Sequence, residues 1–117
     1  MSTYKIGNFG ENLAVGYLLS KKYIIIEQNF KAQGCEVDII AQNKDVLVFV
    51  EVKYRRTLQY GRPLEAVSVS KQRRIYTAAE IYLAEKNLSC NCRFDVIEII
   101  KLGEEYEVNH IENAFGM

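Results

Sequence analysis

The stretch "VLVFVEVKYRR", Val46 to Arg56, decides how the rest of this 117-residue chain is read. Side chains alternate between the faces of a strand, so Val48, Val50 and Val52 point one way and Leu47 and Phe49 the other. A strand apolar on both faces is covered on both faces, which makes it a central strand of a sheet flanked by helices. Yet Glu51 and Lys53 share the face of Leu47 and Phe49. A carboxylate and an ammonium two residues apart in a core strand are costly unless something pairs with them or uses them.

Working outward, "CEVDIIAQ" (Cys35 to Gln42) alternates and predicts a second strand, joined to the first by the turn signal "NKD". A hairpin centred on Lys44 and Asp45 sets Asp38 opposite Glu51 and Glu36 opposite Lys53. "YIIIEQNF" (Tyr23 to Phe30) is β-branched and predicts another strand, broken by "QG". Before it, Phe9, Leu13, Tyr17 and Leu18 recur at helical spacing and predict a helix from about Asn8 to Lys22.

After the opening stretch, a loop from Arg55 to about Val67 holds the only proline, Pro63. Ser68 or Ser70 then caps a helix running to about Lys86, with Ile75, Ala78, Ala79, Tyr82 and Leu83 on its inner face. "RFDVIEIIKL" (Arg93 to Leu102) predicts a fourth strand and "YEVNHI" (Tyr106 to Ile111) a short fifth, followed by the tail "ENAFGM". The order is α-β-β-β-α-β-β, an α/β fold with a mixed β-sheet flanked by helices, in a single domain spanning residues 1–117.

Composition narrows the function classes. Half the residues are hydrophobic and one is proline, which excludes a disordered chain. No apolar run resembles a signal peptide or a membrane span, so the expected compartment is the cytoplasm and no membrane partner is expected. The formal net charge is zero, against a strongly basic nucleic-acid clamp, although Lys53, Arg55 and Arg56, and then Lys71, Arg73 and Arg74, form two local basic clusters. Three cysteines, an odd number, predict free thiols; the C-x-C of Cys90 and Cys92 has the wrong spacing for a structural zinc site with His110.

The charged constellation carries the chemistry. Like charges directly opposed across a sheet destabilise it, so Asp38 opposite Glu51 needs an offset. A divalent cation between the carboxylates provides one, and oxygen-only ligands suit Mg2+ or Mn2+; a proton held by one carboxyl provides another. Glu11 lies on the same helical stripe as Ala14, Val15 and Leu18 and so faces the core, near the helix start, where it adds a third carboxylate. The bland alternative is a structural ion-pair network whose charges reach solvent at the strand ends. His110 reads as a hydrogen-bonded structural group, and Arg93 and Asp95, on one strand face, as partners of each other or of the tail.

Taken together, "GNFGENLA" (Gly7 to Ala14), "EVDII" (Glu36 to Ile40), "VFVEVKYR" (Val48 to Arg55), "YGRPLEAV" (Tyr60 to Val67), "KQRRI" (Lys71 to Ile75), "RFDVI" (Arg93 to Ile97) and "HIENAF" (His110 to Phe115) resemble the YraN-type family of small uncharacterised bacterial proteins. The likeness covers nearly the whole chain and places it with the PD-(D/E)xK nuclease superfamily, whose fold is the restriction-endonuclease-like core. It implies a metal-dependent nuclease hydrolysing phosphodiester bonds in DNA, acting on branched or single-stranded repair and recombination intermediates. By that resemblance Asp38 and Glu51 are metal ligands with the Val52 carbonyl, Glu11 completes the metal site, and Lys53 orients or deprotonates the attacking water. Glu36 supports the site, and Arg55, Arg56, Lys71 and Arg74 contact nucleic acid. A homodimer is compatible with the resemblance. Two departures are Val37 where the superfamily motif has proline and Cys35 where the family has glycine. The same fold also hosts nucleic-acid-binding modules that do not cut, and a protein-interaction domain with structural charges is the third alternative.

Overall fold

The computed structural model of the chain describes residues 4–55 and 67–116. The expected loop with Pro63 and Arg56 lies outside the described residues.

Helix α1 (Tyr4–Ser20) begins earlier than its apolar spacing predicts. It ends where Lys22 turns left-handed at φ 73°. The Lys22 and Tyr23 N–H groups then bond back to the carbonyls of Leu19 and Leu18, both at 3.0 Å, a Schellman closure with lysine where glycine is usual. Three strands follow, β1 (Ile24–Ala32), β2 (Cys35–Asn43) and β3 (Val46–Arg55), then helix α2 (Val69–Glu85), β4 (Asn91–Leu102) and β5 (Glu105–Phe115). The observed order is the predicted one. Ser68 is the cap of α2: its Oγ accepts from the Lys71 N–H at 3.1 Å. The helix closes through Asn87, left-handed at φ 53°.

The five strands run in the spatial order β1-β2-β3-β4-β5, so the "VLVFVEVKYRR" strand is the centre of the sheet. Its pairing with β2 and that of β1 with β2 are antiparallel; β3 and β4 are parallel, joined over one face by α2; β5 returns antiparallel on β4. Each helix covers one face. Ala14 and Leu18 of α1 pack on Ile39, Ala41, Val48, Val50, Ile97 and Ile99. Ile75, Ala78, Ala79 and Tyr82 of α2 pack on Phe30, Ile40, Leu47, Phe49, Phe94 and Val96. Burying a leucine or isoleucine in this way contributes roughly 1.5–3 kcal/mol. This two-sided cover is why β3 and β4 read as continuous apolar runs. No described helix is long and apolar enough to cross a membrane.

Three sequence expectations change. Phe9 is 40% exposed and meets Tyr106 edge-on instead of entering the core. The fifth strand is not short: it continues through the predicted tail to Phe115. Asn113, left-handed at φ 53°, accommodates a shift in the pairing of β4 with β5, and Phe115 then pairs with Phe94 and stacks on it at 5.6 Å. Aromatic burial, invisible to an alternation pattern, extends the strand. Finally, Val37 and Ile40 belong to the same core cluster, so the strict alternation of β2 is interrupted at Asp38.

Candidate active site

The site grows from the point where β2 and β3 part. Their ladder follows the predicted register from Asn43↔Val46 to Ile39↔Val50. One step further it would set Asp38 against Glu51, and there the described pairing stops. Instead of a backbone carbonyl, the Asp38 side chain takes the Val52 N–H: Oδ2 accepts at 2.8 Å. Divergence relieves the like-charge opposition that continued pairing would impose. The predicted Glu36–Lys53 pair is absent for the same reason. Glu36 faces Lys31 across β1, and Lys53 faces Glu98 across the parallel β4.

Glu51 points to the α2 side, as the alternation of β3 requires, and is 5% exposed. Its Oε2 meets the Lys71 Nζ at 2.9 Å. The first turn of α2 brings Lys71 there because Ile75, one turn on, is anchored in the core below. The hydrogen bond to Glu51 raises the Lys71 pKa above its ordinary value. Asp38 has its carboxyl pushed up to about 8, first by burial and then by the neighbouring Glu51 charge, with the Val52 N–H opposing.

Glu11 arrives from the opposite face, on α1. Its neighbour Gly10 packs against Tyr54 of β3, where a Cβ would lie in ordinary contact at 3.6 Å. Burial raises the Glu11 pKa, a hydrogen bond with Asn29 counters it, and the charges of Glu36 and Glu51 add to the rise. The Glu11 Oε1 is buried with no hydrogen-bond partner. Asn29 itself is left-handed at φ 54°; nothing in the sequence marks it as part of the site.

A polar cleft of about 90 Å³ opens here, lined by Glu36, Asp38, Glu51, Lys71, Arg74 and Ile75. Arg74 donates to the Gly34 carbonyl at 2.8 Å, which holds it at the cleft wall. Lys53 is half-buried on the Glu51 face of β3 and forms no ion pair among the described residues. Val52 lies between them, its side chain in the α1-side core. Among the described residues, no three His, Cys, Asp or Glu side chains converge as a ready metal cage; Lys71 stands against the Glu51 carboxylate instead.

Arg55, expected to contact nucleic acid, has an ion-pair partner within the chain. Its guanidinium is paired at 3.0 Å with Glu98 of β4, a side chain with no solvent exposure. The second Glu98 oxygen, Oε1, has no partner. Glu98 was legible as a lone carboxylate in the apolar run "VIEII", in phase with the Glu51 face, but apolar strands hide such residues from motif spacing.

A second polar cluster sits among α1, β4 and β5. Asp95, fully buried, takes two bonds from Arg93 at 2.9 Å, one from His110 Nε2 at 2.7 Å and one from the Asn113 N–H at 3.0 Å. Burial alone would raise its pKa, but these donors outweigh it and hold the carboxyl below its ordinary value. An ionised carboxylate only accepts, so His110 Nε2 donates to it, and the other ring nitrogen, Nδ1, lies 3.2 Å from the Tyr17 hydroxyl. Arg93 also reaches the Tyr23 hydroxyl at 2.7 Å. Among the described residues no buried side-chain polar atom of this cluster lacks a partner, which makes it a structural network and gives Arg93, Asp95 and His110 the roles their spacing predicts.

Comparison with known proteins agrees with this architecture in extent. A family model described as "Uncharacterised protein family UPF0102" matches residues 10–99. A UPF0102 protein of Clostridium botulinum strain Hall is 46% identical over 114 residues, covering 94% of this chain and 93% of that relative. A UPF0102 protein of Clostridioides difficile strain 630 is 45% identical over 116 residues, covering 98% of this chain and all of the relative. One from Syntrophotalea carbinolica is 45% identical over 113 residues, covering 96% and 92%.

Proposed function

The chain belongs to the UPF0102 family, and we propose that its acidic cleft hydrolyses phosphodiester bonds in DNA with the help of a divalent cation. The observation that carries this reading is Asp38 beside Glu51 in one cleft at the parting of two strands, where burial and then the Glu51 charge push the Asp38 carboxyl up to about 8, with Glu11 and Glu36 near enough to add to the rise. Structural ion pairs are built to satisfy charge; this group concentrates one sign of it, the pattern expected of a functional site.

The donor chemistry fits a hard cation. Asp38, Glu51 and Glu11 offer oxygens only, the Glu11 Oε1 is buried without a partner, and the cleft is polar. Mg2+ or Mn2+ is the cation that suits such ligands, with the Val52 carbonyl as a further oxygen. When bound it supplies charge neutralisation at the phosphate and water activation. The chain's own residues do the rest. The Val52 N–H fixes the Asp38 carboxylate. Lys53, two residues beyond Glu51 on the same face, holds positive charge where negative charge develops on the phosphoryl oxygens. Arg74 and Lys71 line the cleft and meet the flanking phosphates. Arg56, next in sequence after β3, adds a further positive charge for phosphate contact, and Glu36 adds negative charge at the cleft. Branched or single-stranded DNA is the substrate class, and the cytoplasm the compartment. Arg55, committed to Glu98, contributes through the fold of β3 and less through direct phosphate contact.

One observation favours a second reading. Lys71 already neutralises Glu51, so the cleft is also compatible with a module that binds nucleic acid without cutting it. The test is cleavage of labelled single-stranded, duplex, flap and four-way-junction DNA with Mg2+, Mn2+ or EDTA, beside Glu51→Ala and Lys53→Ala. Metal-dependent cutting lost in both folded variants supports hydrolysis. Salt-sensitive binding without turnover supports the module.

A further inference from the structure

We propose that Lys71 is an internal counter-ion that competes with the divalent cation for Glu51 and is released toward the substrate when the cation binds. The inference rests on the metal-site reading above and assigns the order of events within it.

The geometry has two halves. On one side the Glu51 side chain is 6% exposed and depends on a cation: its Oε2 meets Lys71 Nζ at 2.9 Å, with Asp38 in the same cleft. On the other, the Lys71 side chain is 53% exposed and hangs on a flexible stem of four methylenes. Its backbone is fixed by the Ser68 cap at 3.1 Å, so the ammonium swings to solvent without moving α2 or the core beneath it. A buried anion thus has a removable partner.

Other nearby cations do not share this role. Arg74 is tied to the Gly34 carbonyl and Arg55 to Glu98. Lys53 forms no ion pair among the described residues and sits on β3 itself. Lys71 also pays a small electrostatic penalty at the helix start, where the dipole disfavours positive charge, and Glu51 offsets it. Once a divalent ion sits beside Glu51, that compensation becomes repulsion between two cations at one carboxylate. The displaced ammonium then stands at the cleft mouth, where a phosphate replaces Glu51 as its partner. Competition of this kind is reciprocal: whatever removes Lys71 strengthens metal binding, and metal loosens Lys71.

The test is Mn2+ binding by titration calorimetry and electron paramagnetic resonance, with thermal midpoints measured with and without Mn2+, on the whole chain. Lys71→Met is expected to tighten Mn2+ binding by roughly five- to tenfold and to lower the metal-free midpoint, widening the gap that Mn2+ produces. Lys71→Arg keeps a cation at the carboxylate and is expected to restore weaker, wild-type-like binding. Arg73→Met, which removes the same charge from an exposed place on the same turn, is expected to leave affinity unchanged and controls for net charge. Equal affinity in wild type and Lys71→Met, or weaker binding in Lys71→Met, overturns the inference while leaving the metal site standing. Absence of Mn2+ binding in both overturns the inference and the metal-site reading together.

Discussion

The Asp38 carboxylate accepts a hydrogen bond from the Val52 backbone N–H at 2.8 Å, so a side chain of β2 satisfies β3 at the point where their ladder ends. This single bond holds the two strands apart yet in register, and it sets the first prediction. Asp38→Asn retains an acceptor oxygen and is expected to fold normally. Asp38→Ala removes it and is expected to lose about 1–2 kcal/mol by chemical denaturation, the cost of an unsatisfied buried N–H.

The same carboxyl makes stability pH-dependent in the metal-free protein. Its folded-state pKa, about 8, lies above the ordinary 3.8. A group raised on folding contributes nothing adverse below the ordinary value and progressively destabilises as pH rises through the folded one. Relative to wild type, Asp38→Asn is therefore expected to be equal near pH 4 and more stable near pH 9, by up to about 6 kcal/mol if the whole rise is expressed. Urea midpoints across that range check it; a constant difference between the proteins contradicts it.

Asp95 carries the opposite sign. Its pKa is held below the ordinary carboxylate value, so it stabilises above that value, and the contribution disappears as pH falls through the lowered folded pKa. Asp95→Asn leaves Arg93 without its buried counter-charge and is expected to cost roughly 3–5 kcal/mol at neutral pH. The loss is expected to shrink in acid, where the wild type also gives up the ion pair.

Arg55 and Glu98 form a buried pair with one carboxylate oxygen unsatisfied. Arg55→Met alone is expected to destabilise strongly, because it leaves a buried carboxylate unpaired. The double variant Arg55→Met with Glu98→Leu is expected to recover most of the loss. A double variant as unstable as the single one contradicts the pairing.

Gly10 separates tolerance from site geometry. A Cβ there meets Tyr54 at an ordinary 3.6 Å, so Gly10→Ala is expected to gain about 0.5–1 kcal/mol from helix propensity. Gly10→Leu forces α1 away from β3 and is expected to weaken Mn2+ binding through Glu11, with the fold retained by circular dichroism.

Most of the fold was legible because β3 is apolar on both faces and its neighbours announce themselves by alternation and turn residues. The Asp38–Glu51 proximity was legible from one turn, since Lys44 and Asp45 fix the register of the hairpin. What escaped was the divergence of β2 from β3, because it depends on a side chain replacing a backbone acceptor. The partner of Glu51 escaped too: Lys71 is brought over the strand by the way Ile75 packs in three dimensions, which no spacing along the chain encodes. The extension of β5 turned on one aromatic stack, Phe94 on Phe115.

The parallel pairing of β3 with β4 has a consequence for how the chain acquires its shape. The first three strands are joined by tight hairpins, whereas β3 meets β4 only after α2 has crossed the sheet. Closing that long loop costs entropy before any contact rewards it, so such pairings form late. Glu11, Asp38, Glu51 and Lys53 all belong to the early segment, and Lys71 and Glu98 to the late one. Asp38 and Glu51 thus come together in the hairpin before α2 brings Lys71, the cation that pairs with Glu51, while Arg55 waits on β3 for Glu98 to arrive with β4.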